Sequence, residues 1–157
     1  MCGLRCFSPI AVGGDFAFAG GELTCNVNSN GNITAGVFSG EVFSFGGKIS
    51  GGTFKGSVKS RFDTVSGGTF IGEFDSLGTT VTGGMFSGDT EISAETYLLT
   101  ILNGHVKDTA LVSVRVFPGT KVSVETDLDS DSFARWISFS DVPVVFDDEK
   151  SMSVTFV

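Results

Sequence analysis

Histidine, proline and every aromatic residue except phenylalanine are scarce in this sequence. Its 157 residues include one His, one Trp, one Tyr and three Pro, against 16 Phe. The single His105 stands without a GxSxG-type motif and without metal-ligand spacing, so the chain has no recognisable nucleophilic or metal-dependent catalytic set. We therefore expect a protein that is not an enzyme and needs no cofactor.

Long hydrophobic runs and a paired set of cysteines are also missing. No apolar run approaches the ~18 residues of a transmembrane helix. The N-terminal stretch MCGLRCFSPIAVGGDF is broken by Ser, Pro and Gly and does not resemble a secretory signal. Cys2, Cys6 and Cys25 are odd in number and gathered at one end, which is a poor disulfide framework. The expectation is a cytoplasmic protein with reduced thiols and no membrane partner.

Positive charge is in short supply. Ten Lys and Arg face 18 Asp and Glu, so the net charge is −8 and the pI is about 4.4. This balance disfavours direct binding to nucleic acid, whose phosphates require cations. It suits a partner with a basic surface, such as the groove of a nucleic-acid-binding protein.

What the sequence does contain is a sixteen-residue repeat. Three consecutive segments read ISGGTFKGSVKSRFDT, VSGGTFIGEFDSLGTT and VTGGMFSGDTEISAET, beginning at Ile49. Segments from Ile33 and Tyr97 fit the same phase. The sixth position of the five segments is occupied by Phe38, Phe54, Phe70, Phe86 and Leu102. The eighth position is Gly in all five: Gly40, Gly56, Gly72, Gly88 and Gly104.

Such columns predict an all-β fold, a single-stranded parallel β-helix or β-solenoid with coils of ~16 residues. Only stacked coils place equivalent residues directly over one another, at a spacing of ~4.8 Å. The Phe column then forms an interior stack, and the Gly columns mark corners. Parallel crossovers favour a right-handed coil. The alternative is an antiparallel meander, but hairpins do not require a fixed period.

The repeat also suggests the limits of one capped domain. We assign residues 18–112 to the solenoid and residues 1–17 to an N-terminal cap. Beyond residue 112 the phase dissolves, and we assign residues 113–157 to an acidic, β-rich C-terminal cap, because a terminal coil exposes unpaired backbone. Trp136 is expected in the core of this cap rather than at an interface.

One face of the predicted solenoid is acidic. The ninth and eleventh positions flank the inward tenth position, so both point outward on the same face. Four of these carboxylates would form a square ~5–7 Å on a side. The face is interpreted as a docking patch for a basic partner or, alternatively, as a solvated surface that prevents aggregation; sugar cleavage ranks third, because the face lacks an aromatic platform and accompanying bases. Its acids are Glu41, Glu73, Asp75, Asp89 and Glu91.

The C-terminal cap carries a second acidic surface. The segment DLDSDS begins like a calcium loop, but Ser132 and Ser138 stand where Gly and Glu are required, so we interpret it as an acidic turn and predict no metal site. His105 is expected to contact Asp89 on the neighbouring coil. The acids of this surface are Asp127, Asp129, Asp131, Asp147, Asp148 and Glu149.

The SGGTFxG coils resemble the Gly-rich β-solenoid repeats of bacterial and phage proteins, over residues 18–112. Among solenoids of this kind, the pentapeptide-repeat proteins that protect gyrase are acidic and resemble DNA in shape and charge, although this chain lacks their five-residue motif. Bactofilins are small solenoids that polymerise end to end, with coils richer in Val and charged residues.

The resemblance and the acidity together predict a phage- or mobile-element-type inhibitor. Such a protein would be an anti-CRISPR-like DNA mimic that blocks a basic, nucleic-acid-binding surface of a host defence or DNA-handling protein. The alternative is a structural or adhesive β-helix module, such as a trimeric phage tail-fibre segment or a bactofilin-like filament protein.

Overall fold

Short β-strands make up the regular structure of the chain. The computed structural model describes residues 8–17, 22–87, 90–92, 96–137, 145–148 and 153–156, and these contain strands but no helix. The strands are β1 (Ile10–Val12), β2 (Phe16–Ala17), β3 (Val27–Ser29), β4 (Ile33–Ala35), β5 (Val37–Phe38), β6 (Val42–Phe45), β7 (Lys48–Ile49), β8 (Thr53–Phe54), β9 (Val58–Arg61), β10 (Thr64–Phe70), β11 (Phe74–Leu77), β12 (Thr80–Ser87), β13 (Tyr97–Thr100), β14 (Gly104–Val106), β15 (Ser113–Val116), β16 (Val122–Thr126) and β17 (Ser153–Phe156).

Parallel pairing between equivalent strands confirms the predicted β-solenoid. One sheet has the order β1-β3-β6-β9-β11 and is parallel throughout. The opposite sheet continues in parallel through β2, β4, β7, β10 and β12. Val42 is paired with Val58 on the next coil, and Val58 is paired with Phe74 on the coil after that. The backbone N of Val58 donates to the carbonyl oxygen of Glu73. The register step is therefore sixteen residues, and the stack has roughly five turns.

The phenylalanine column forms a continuous stack of buried rings. The ring centroids of Phe38 and Phe54 are 5.0 Å apart, those of Phe54 and Phe70 4.8 Å, and those of Phe70 and Phe86 4.6 Å, with interplanar angles of 9°, 8° and 4°. Phe74 meets two of these rings edge-on. Each aromatic pair adds ~0.5–1.5 kcal/mol beyond its buried area, so the column both fills and aligns the coils.

Glycine is required in the repeat for two different reasons. A Cβ on Gly72 would lie 2.4 Å from the carbonyl oxygen of Gly56 one coil back, so a side chain there would separate the coils. Gly68 has a φ of 109°, a left-handed conformation that side chains disfavour. The close approach of neighbouring coils explains the Gly at the eighth position of the repeat. The left-handed φ explains the Gly at the fourth position.

The predicted fifth coil is wrong. Tyr97–Thr100 pairs antiparallel with β15, and β15 pairs antiparallel with β12, so parallel stacking ends at Ser87 rather than at residue 112. Leu102 is 71% exposed and does not extend the ring stack. In this segment Leu99 and Thr100 replace the Gly pair. In the stacked coils a Cβ at the first glycine of the pair would lie 2.2–2.5 Å from a carbonyl oxygen of the preceding coil, so a Leu at this position does not suit parallel stacking.

The beginning of the stack also differs from the expectation. Strands β1 and β2 pair in parallel with β3 and β4. Residues 10–17 therefore belong to the solenoid rather than to a separate N-terminal cap. Residues 1–7 lie outside the described part of the chain.

An antiparallel cap closes the other end. Strands β14, β16 and β17 form a third sheet, of three strands. A separate hydrophobic cluster lies beneath it, and Trp136 packs against this cluster, as predicted. Its buried members are Ile101, Val106, Val114, Val116, Val122 and Val124.

The expectation of reduced thiols is wrong for Cys25, which is buried and disulfide-bonded. Counting cysteines cannot reveal such a bond, because pairing depends on which coils are brought together in space. Cys2 and Cys6 lie outside the described residues.

Candidate functional site

The predicted acidic face is the outward side of the five-stranded sheet. Alternation along β11 buries Phe74 and leaves Glu73 and Asp75 exposed on either side of it. Glu91 is also exposed, whereas Glu41 is half-buried. Asp89, the remaining member of the predicted square of carboxylates, lies outside the described residues.

Basic side chains of β9 lie between the acidic side chains of this face. Lys59 Nζ lies 2.9 Å from Glu41 Oε2, and Arg61 donates to Asp75 Oδ2 at 2.6 Å. The hydrogen bond from Lys59 holds the pKa of Glu41 below its ordinary value, and the same bond raises the pKa of Lys59. Exposed pairs of this kind contribute little to stability. They do, however, leave the face with alternating rows of both signs instead of uniform negative charge.

An apolar cluster, which was not predicted from the sequence, borders these charges. Phe45, Phe62 and Leu77 are 52%, 61% and 61% exposed, and Phe43 is 37% exposed. The rings of Phe45 and Phe62 meet edge to face at 5.8 Å. We call these four residues the apolar corner. Phe43 and Phe45 alternate with the inward Val42 and with a buried Ser, and that alternation could have revealed them.

A buried carboxylate beside the same corner has a structural role. Asp63 is 3% exposed and accepts hydrogen bonds from Ser60 Oγ at 2.5 Å, from Gly47 N at 2.7 Å and from Arg61 N at 3.1 Å. These donors join two neighbouring coils at the bend between β9 and β10. Because the protein itself supplies the partners of both oxygens, Asp63 is not placed to act as a base on an external molecule.

In the cap, His105 bridges two acids. Its Nδ1 lies 2.6 Å from Asp127 Oδ1 and its Nε2 lies 2.9 Å from Glu125 Oε1. The hydrogen bond with Asp127, followed by that with Glu125, raises the pKa of His105 above its ordinary value. A His–carboxylate contact therefore exists within the cap, with Glu125 and Asp127. The predicted partner Asp89 lies outside the described residues.

The acidic turn, which we define as residues 127–131, follows β16. Asp129 accepts a hydrogen bond from the backbone N of Ser132 at 2.9 Å, and the contacts with Ser132 lower the pKa of Asp129. Asp131 is exposed. Within the described part of the chain, no ion pair joins Asp129 or Asp131 to a Lys or Arg. The turn therefore presents two carboxylates, Asp129 and Asp131, that no Lys or Arg of the described residues neutralises.

The other predicted acids of the cap lie further along the chain. Asp147 and Asp148 are exposed, and Glu149 lies outside the described residues. In the described ranges, no group of three or more His, Cys, Asp and Glu side chains is arranged to hold a metal ion.

An open groove runs beside the Gly pairs of the coils. Its walls are the Gly67–Gly68 and Gly83–Gly84 pairs and the turn that contains Pro118 and Gly119. None of the described residues that line it carries a titratable side chain. These residues therefore supply no general acid or base.

Comparison with known proteins gave no match to this chain among family models, curated proteins or solved structures. In the part of the chain that the structure describes, no helix has the length and apolar character needed to cross a membrane.

Proposed function

We propose that this protein is a non-enzymatic binding protein whose acidic turn docks on a basic protein surface. The proposal depends on one observation: Asp129 and Asp131 have no Lys or Arg partner among the described residues, whereas Glu41 and Asp75 of the solenoid are paired with cations. Uncompensated charge produces a field that extends into solvent, whereas a close ion pair cancels most of its own.

The basic surface is that of a nucleic-acid-binding protein, because such surfaces concentrate Lys and Arg against phosphate. Negative charge held on an ordered turn raises the rate of encounter with such a surface and disfavours acidic competitors. The exposed Asp147 and Asp148 add to the charge of the same cap. The net charge of −8 acts in the same direction over the whole chain.

The biological setting proposed is that of a phage- or mobile-element-type inhibitor of a host defence or DNA-handling protein. The resemblance of the coils to solenoid repeats of phage and bacterial proteins supports this setting.

A structural or adhesive module is the second candidate, and one observation weighs against its filament form. Strand β15 covers β12 in antiparallel orientation. A further parallel coil cannot be added to β12 where β15 is paired with it. End-to-end growth of the solenoid is therefore blocked at this end.

The proposal predicts salt-sensitive capture of a basic partner. Immobilised protein is exposed to a nuclease-treated bacterial lysate at low salt and eluted with a salt gradient, since exposed charges are screened within ~10 Å at 0.1 M. We expect a basic nucleic-acid-binding protein to elute, and Asp129→Asn with Asp131→Asn to reduce its recovery about tenfold. Asparagine keeps the acceptor for the backbone of Ser132 while removing the charge.

The matched control is Glu73→Gln with Glu91→Gln, which removes two exposed charges that lie outside the acidic turn. It should leave recovery unchanged. Equal recovery by all three proteins, or elution that does not depend on salt, would remove the acidic turn as the docking site.

A further inference from the structure

We propose that the apolar corner and the charged rows beside it form a two-fold interface between two copies of this chain. This interface contains no residue of the acidic turn, which lies in the cap. The proposal therefore does not rest on the function proposed above.

The apolar corner is large enough to form the centre of such an interface. From the exposed fractions of its four side chains, it presents on the order of 400 Å² of apolar surface per copy. That is about half of the ~800 Å² that each partner contributes to a stable interface. Surface patches of this size on soluble proteins are frequently functional.

Phe62 is held at this corner in a conformation that favours glycine. Its φ is 56°, and the equivalent residues one coil before and after are Gly46 and Gly78, with φ values of 69° and 65°. A left-handed bulky residue is an outlier that requires compensation. Here the ring lies against Gly78 and against Phe45, yet it remains 61% exposed. The fold thus tolerates backbone strain to present an aromatic ring to the outside.

The charged rows beside the corner are complementary to themselves. Strand β9 carries Lys59 and Arg61, and the adjacent β11 carries Asp75 opposite Lys59, with Glu73 just before the strand. A surface that has a cationic row next to an anionic row can meet an inverted copy of itself with opposite charges in contact. A surface of a single sign would instead repel its copy.

Symmetry then determines the contacts. A two-fold axis that runs along the strands, between β9 and β11, places β9 of one copy over β11 of the other. Lys59 of each copy then faces Asp75 of the other. At the corner, the ring of Phe62 lies against Gly78 of its own chain, between the two coils, so the same axis brings the two Phe62 rings together. The operation therefore places opposite charges in contact and apolar surface against apolar surface.

The first test is sedimentation equilibrium of the full chain. We expect a monomer–dimer equilibrium, and we expect Phe62→Gly to weaken dimerisation about tenfold or more, as removal of a central aromatic residue does. Glycine restores the residue that the neighbouring coils have at this corner, so the monomer should keep its circular dichroism spectrum and its thermal unfolding midpoint within a few degrees. A Phe62→Gly chain that dimerises like the original would overturn the proposal.

A matched pair of variants distinguishes the corner from exposed apolar surface in general. Leu77→Ser changes the apolar corner, whereas Leu98→Ser makes the same change on β13, where Leu98 is 54% exposed. We expect only Leu77→Ser to weaken dimerisation. Equal effects at both positions would refute an interface at the corner.

Charge exchange tests the two-fold arrangement itself. Lys59→Glu with Arg61→Glu leaves acids facing acids, and Glu73→Lys with Asp75→Lys leaves cations facing cations, so each variant alone should be monomeric. An equal mixture of the two should form dimers again, and adding Phe62→Gly to both should abolish them. If the mixture stays monomeric, or if the original chain stays monomeric up to about 1 mM, the second-copy interface is excluded.

Discussion

Buried serine side chains occupy the same position in three successive coils. The three hydroxyl groups differ in their hydrogen bonds. Ser29, Ser44 and Ser60 are all buried. Ser60 Oγ donates to the buried Asp63 at 2.5 Å, and Ser29 Oγ donates to the carbonyl oxygen of Gly31 at 3.3 Å. Ser44 Oγ has no partner among the described residues. A buried polar group without a partner destabilises the fold, whereas a paired one is expensive to remove.

At the residue scale, we therefore predict that Ser→Ala has opposite effects on stability at two positions that are paired across neighbouring coils. Ser60→Ala should lower the free energy of unfolding by about 1–3 kcal/mol, because it leaves the buried Asp63 with one donor fewer. Ser44→Ala should leave it unchanged or raise it, because only an unpaired hydroxyl is lost. Urea titration at constant protein concentration measures both values. Equal losses for the two variants would contradict the assigned hydrogen bonds.

At the element scale, the bridge formed by His105 joins β14 to β16. Both ring nitrogens contact carboxylates, Asp127 and Glu125, and these contacts raise the pKa of the imidazole above 6.5. The folded state therefore binds the proton more tightly than the unfolded state does. The stabilising contribution of the His105 bridge is fully present below pH 6.5. It is lost as the pH rises through the pKa of His105 in the folded protein.

We predict that the cap becomes less stable on the alkaline side of that pKa. The unfolding midpoint of the original chain should exceed that of His105→Gln at about pH 6, and the difference should shrink by about pH 9. Thermal unfolding followed by circular dichroism over this range measures it. A chain with Glu125→Gln and Asp127→Asn should lose the same pH dependence, and a difference that grows with pH would refute the bridge.

At the scale of the whole molecule, two kinds of strand pairing meet at β12. Parallel coils accumulate up to this strand, and the antiparallel β15 then covers it. An uncovered strand at the end of a sheet is a template for pairing with another chain. The cap therefore limits the length of the solenoid as well as carrying the acidic turn.

We predict that a chain ending at Ser87 self-associates. Removal of β15 would expose the edge of β12 and one face of the Phe86 ring, so the fragment should elute as species larger than a dimer in size-exclusion chromatography while keeping a β-type circular dichroism spectrum. The intact chain, at the same concentration, serves as the control and should not exceed a dimer. A folded fragment that associates no further than the intact chain would contradict this role of the cap.

The core of the solenoid was predictable because the repeat carries its information locally. Once successive coils are stacked in register, residues sixteen apart must lie over one another. A single interior column is therefore formed by Phe38, Phe54, Phe70 and Phe86. The outward direction of Glu73 and Asp75 follows from the same alternation about Phe74. For these features, period and alternation alone were sufficient.

The remaining features were decided by the tertiary structure, because they depend on which side chains meet across coils or across the cap. Lys59 contacts Glu41, and His105 contacts Asp127 in a turn that no repeat position indicated. The segment after Tyr97 kept the spacing of a coil but lost the glycine pair, so it turned back as an antiparallel strand. A periodic sequence thus determines the interior, where every coil meets an equivalent neighbour, while the ends and the charged surface depend on contacts between non-equivalent residues.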